Sequence, residues 1–132
     1  SMVLGTRRVG EEARARHAED TEQAQRLAEL LEAARGAEEE LARARRSGAD
    51  AVELHRLGVA YDAALTDAMR AAYARQRALV GARGYEDRIH RRRRLARPEI
   101  KEATELAERL LTLRERHRLY GIERVPHSPV AV

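Results

Sequence analysis

The 132-residue chain contains no cysteine, no tryptophan and no phenylalanine, and its aromatic residues are four tyrosines, Tyr61, Tyr73, Tyr85 and Tyr120. Without cysteine there is no disulfide framework and no thiolate metal site. Without Phe and Trp, the side chains that dominate burial in most cores are missing. Alanine and leucine must fill the interior, with a few Val, Ile and Met. Lysine is also scarce: Lys101 stands alone against 25 arginines. No apolar run approaches the ~18 residues that span a bilayer, and no secretory leader pattern is present. These absences predict an intracellular protein, cytoplasmic, or nuclear in a eukaryotic source.

Charged residues make up 36% of the chain. They are mixed in sign and spread at helical spacing, as in long solvated helices. Small core side chains let helices approach closely but remove little area from water. At roughly 25 cal/mol per Å², an alanine-rich monomer of this size has a thin margin over chain entropy. The expected fold is therefore all-α: an antiparallel helical hairpin extended to a three-helix bundle or coiled coil, oligomeric, with a homodimer favoured.

Local signals divide the chain. Residues 1–10 carry no period and are expected to be a flexible N-terminus, and 11–82 read as the hairpin. Its first helix starts near Gly10, with Glu11 and Glu12 where the helix dipole favours acids. Its apolar heptad runs through Ala24, Leu27, Leu31, Ala34 and Leu41, and back to Ala13 and His17. Unbroken to Arg46, it would be about 54 Å long. Gly36 is the weak point, marking a bend or a close neighbour. Ser47-Gly48-Ala49-Asp50 breaks the pattern: Gly48 suits a C-terminal cap, Asp50 an N-cap, and Glu53 completes a capping box. The second helix runs to about Val80 with the stripe Leu54, Gly58, Tyr61, Leu65, Ala68, Ala72 and Leu79. A four-residue loop makes the pair antiparallel.

Gly81-Ala82-Arg83-Gly84 ends that helix. Residues 83–97 form an arginine-rich connector or short helix beginning near Glu86. Pro98 either kinks it or opens a new helix. Residues 98–121 form an amphipathic helix with the heptad Ala103, Leu106, Leu110, Leu113, His117 and Tyr120. Residues 122–132, with Pro126 and Pro129, read as a mobile tail.

The charge pattern carries the functional signal. Seven arginines against Glu86 and Asp87 give residues 83–97 a balance of +5, larger than the +4 of the whole chain. A cluster of this kind focuses a field on a polyanion. Guanidinium forks match carboxylate and phosphate geometry. Arg88, Arg91, Arg92, Arg93, Arg94 and Arg97 are the candidate contacts to an acidic protein partner. The alternative is sequence-tolerant nucleic-acid binding through phosphates, for which only Tyr85 lies near enough to stack a base. A solvated connector, or pairing with the acidic first helix, is the plainer reading.

Leu27, Leu31, Leu41, Leu54, Tyr61, Leu65, Leu106, Leu110, Leu113 and Tyr120 are the candidate helix-interface residues. The histidines are scattered and lack metal-site spacing. His117, on the last stripe, reads as a partly buried polar position. Glu11-Glu12 and Glu38-Glu39-Glu40 diverge around their helices instead of converging on a pocket. No catalytic set, cofactor, metal or small-molecule substrate is expected. The sequence reading is a non-catalytic assembly or adaptor module.

Overall fold

A computed structural model describes residues 8–125. The remaining parts of the expected flexible N-terminus and mobile tail, with Pro126, His127 and Pro129, lie outside the described residues. Among the described residues the fold is an all-α helical bundle of five helices: α1 (Glu11–Ala24), α2 (Leu27–Arg46), α3 (Ala51–Val80), α4 (Arg88–Leu95) and α5 (Pro98–Tyr120). A 3-10 turn, Ala82–Tyr85, precedes α4.

The caps explain the boundaries. Gly48 ends α2 at φ +74°, in the left-handed region that favours glycine. The Ala49 N–H reaches back to the Ala44 carbonyl and the Gly48 N–H to that of Arg45, closing a Schellman turn. Asp50 then caps α3, accepting the Glu53 N–H at 2.9 Å. The capping box is only half formed, because the Glu53 carboxylate binds Arg56 instead of returning to the cap. Pro98 takes the first position of α5, where its missing N–H costs nothing.

The first helix of the hairpin is not continuous. It breaks at Gln25–Arg26, between α1 and α2, and not at Gly36, which lies inside α2 with open space beside it. The break falls beside the division of the chain into two units. The first unit takes residues up to Leu27 together with Arg70–Ala107; the second takes Ala28–Met69 with residues from Glu108 onward.

In the first unit, α1 is tied to the end of α3. His17 donates to the Ala78 carbonyl at 3.0 Å, and Arg77 forks onto Asp20. Gln76 donates to Thr104 at 2.8 Å, fixing α3 against α5. The core is made of Ala13, Ala71, Ala74, Val80, Ile100 and Ala103, all buried.

In the second unit, α2, α3 and α5 pack together. Tyr61 donates to Glu38 at 2.8 Å, linking α3 to α2. Arg114 to Thr66 and Arg118 to Asp62 form an antiparallel ladder between α5 and α3. Leu41, Leu57, Tyr61, Leu65, Ala68 and Leu110 are buried there. The segment expected to trail from residue 122 is held at its start: Arg45 donates to the Gly121 carbonyl and His55 to that of Glu123.

The predicted stripes are buried unevenly. Leu27, Leu41, Tyr61, Leu65 and Leu110 reach the core; Leu31, Leu54 and Leu106 are half-buried. Leu113 is 39% exposed and Tyr120 83% exposed. In α5 the buried line is Ile100, Ala103, Ala107, Leu110 and His117. Two alanines are among its most buried positions, and several of the larger residues are only partly covered.

Candidate polyanion-contact surface

α4 begins where Asp87 accepts the His90 N–H at 2.9 Å. That bond and a single hydrogen bond from Arg83 Nε hold the Asp87 carboxyl below its ordinary range. Gly84, just upstream, is buried, and a Cβ there would collide with a Val80 methyl group. Glycine at this position allows the turn to lie against the end of α3.

The eight residues of α4 rise about 12 Å and divide by angle. His90, Arg94 and Leu95 are half-buried. Arg94 turns back, giving one guanidinium nitrogen to the Leu79 carbonyl at 3.0 Å, and its Nε is buried without a partner. Arg88, Arg92 and Arg93 form the outer face around Ile89, which is 67% exposed. Arg91 and Arg97 are also exposed. Among the described residues, none of the six candidate arginines forms an ion pair.

Two arginines elsewhere fork onto carboxylates. Arg77 meets Asp20 at 2.8 and 3.0 Å, and Arg118 meets Asp62 at 2.7 and 3.1 Å. The acidic first helix therefore takes its arginine from α3, not from the cluster.

Asp20 also accepts the Tyr85 hydroxyl. Burial alone would raise the Asp20 carboxyl, but hydrogen bonds from Arg77 and Tyr85 together hold it below its ordinary value. Burial and the bond to Asp20 push the Tyr85 phenol up. Both directions favour an ionised Asp20 accepting from a protonated Tyr85, which ties α1 to the turn before α4. The His17 ring meets Tyr85 edge-on at 6.2 Å. Sequence reading missed this cluster, since its members lie 57 and 65 positions apart with no motif joining them.

A cleft of about 230 Å³ opens beside α4. Val80, Gly84, Tyr85 and Leu95 give it apolar walls, and Gln76, Arg77 and Arg91 line the rest. A second cleft of about 330 Å³ shares Arg77 and Tyr85 and is lined by Arg16, Glu19 and Asp20.

Among the described residues, no three His, Asp or Glu side chains converge as a metal site, and no helix is long and apolar enough to cross a membrane. Comparison with known proteins finds no matching family model, curated protein or solved structure.

Proposed function

We propose that the chain is a non-catalytic helical docking module that binds an acidic protein surface through α4. One observation carries this reading: Arg88, Arg92 and Arg93 surround an exposed Ile89 and, among the described residues, form no ion pair. Exposed guanidiniums keep their forks for carboxylates outside the fold. An isoleucine among them suits a protein partner, because interface cores combine arginine with apolar contact. Phosphate binding makes no use of that side chain, so nucleic acid is the second reading.

The module also self-associates in this account. Val52 and Val59 on α3, and Leu113, Leu119 and Tyr120 on α5, are exposed in the second unit. Each pair Val52/Val59 and Leu113/Tyr120 is seven residues apart, so each shares a helix face. A second copy is the proposed cover.

The test is a titration of the protein with polyglutamate and, separately, with a nonspecific DNA duplex at several salt concentrations. Light scattering would give the molar mass. The docking reading expects polyglutamate to bind at low salt and to outcompete the duplex. Duplex binding with a log–log salt slope near −0.9 per phosphate contact, and no polyglutamate binding, would replace it with the nucleic-acid reading. A monomer mass at high concentration would remove the self-association proposal.

A further inference from the structure

We infer that the cleft beside α4 is the anchor pocket of this docking surface, and that its ligand is an acidic segment carrying one leucine- or phenylalanine-sized side chain. The inference rests on the acidic-partner reading above and specifies the partner's sequence chemistry.

The walls of the cleft are apolar: Val80, Gly84, Leu95 and the Tyr85 ring. Gly84 lets the turn close against Val80 at the cleft's edge, since a Cβ there would run into the Val80 side chain. At about 230 Å³, the cleft suits one large side chain, not an extended ligand. Of the two arginines that line it, Arg77 is already clamped by Asp20, whereas Arg91 makes no ion pair among the described residues. A carboxylate arriving beside the anchor would therefore meet Arg91.

Helix geometry supplies the remainder. Arg91 and Leu95 are one turn apart on the cleft side of α4, and Arg88 and Arg92 are one turn apart on the neighbouring face. Each pair is separated by about 6 Å along the axis. A partner helix with acids at i and i+4 and leucine at i+3 carries all three on one face. Tight interfaces place such an apolar anchor in a pocket and ring it with contacts that exclude water. The chemistry thus points to an acidic amphipathic segment, not a uniformly acidic one.

The probes are two short, end-capped glutamate-rich helical peptides, identical except for a central leucine or alanine, titrated into the full chain at low salt. The leucine peptide should bind about ten- to a hundredfold more tightly, the range expected for burying one leucine. Only the leucine peptide should shift the methyl resonances of Val80 and Leu95. In Leu95→Gln, the leucine advantage should vanish and the alanine-peptide affinity should stay. Equal affinity of both peptides with unmoved methyl signals would overturn the anchor pocket and leave acidic docking intact. No binding of either peptide would overturn the docking reading, and the pocket with it.

Discussion

In the first unit Asp20 alone accepts the Arg77 fork and the Tyr85 hydroxyl. In the second, the same two tasks are split: Glu38 takes Tyr61 and Asp62 takes Arg118. Each unit also has a histidine that donates to a carbonyl of α3 and packs against that tyrosine: His17 to Ala78 beside Tyr85, and His117 to Gly58 beside Tyr61. With few aromatics available, both units use their tyrosines and histidines as polar bolts between helices. The difference is concentration. The second unit buries its histidine and spreads its bonds, while the first gathers them on one carboxylate next to a helix whose outer arginines, Arg88, Arg92 and Arg93, form no ion pair among the described residues.

The largest effects should come from the apolar core and should not distinguish the units. Leu65→Ala in the second unit and Ile100→Ala in the first remove side chains exposed by 2% and 0%. Each should cost about 3–4 kcal/mol in urea denaturation. By contrast, Leu113→Ala should cost less than about 1 kcal/mol, since that side chain is 39% exposed.

The histidines should separate the units. His117→Ala removes a buried ring at 4.6 Å from Tyr61 and a bond to the Gly58 carbonyl, and should cost about 2–3 kcal/mol. His17→Ala, at a half-buried position, should cost about 1 kcal/mol.

The shared carboxylate should matter more than the dedicated one. Asp20→Ala leaves two donors without their acceptor and should cost about 2 kcal/mol; Asp62→Ala leaves one and should cost about 1 kcal/mol. Equal losses would refute the concentration argument.

Acid should act through the same pair. Both carboxyls sit below their ordinary 3.8 in the folded protein, Asp62 chiefly through its bond to Arg118. The unfolded chain then binds more protons near pH 4, so stability rises with pH there. The melting temperature should be level above about pH 5 and should fall as pH drops through 4 and below. Combining Asp20→Asn with Asp62→Asn should make that acid limb shallower, leaving the part due to Asp87 and Glu53.

The smallest effect on folding should come from Arg88→Gln, Arg92→Gln and Arg93→Gln together. These side chains are exposed, so stability should change by no more than about 0.5 kcal/mol.

Much of the fold was legible where local chemistry sets the answer. The bounds of α3 follow from the Asp50 cap and from Gly81, which adopts φ +99°. The break at Gln25–Arg26 was not legible, because neither glycine nor proline marks it. Gly36, the one apparent defect, is accommodated within an uninterrupted helix. The α5 heptad misled for a related reason. Leucine periodicity identifies the apolar side of a helix, but the most deeply buried positions of α5 include Ala103 and Ala107, while Leu113 is 39% exposed. The arginine cluster stood out in sequence, whereas its division into an outer face, a cleft wall and the returning Arg94 depends on where the 3-10 turn places α4. The Asp20–Arg77–Tyr85 clamp depends on tertiary packing alone.

The central claim is that the outer α4 arginines, Arg88, Arg92 and Arg93, serve a partner and not the fold. The most direct measurement is a polyglutamate titration of the wild-type chain against the triple Arg88→Gln, Arg92→Gln, Arg93→Gln variant, at equal folded fraction. The account predicts that the variant keeps its fold and loses affinity on the order of a hundredfold. A variant that binds polyglutamate as well as the wild type does would contradict it.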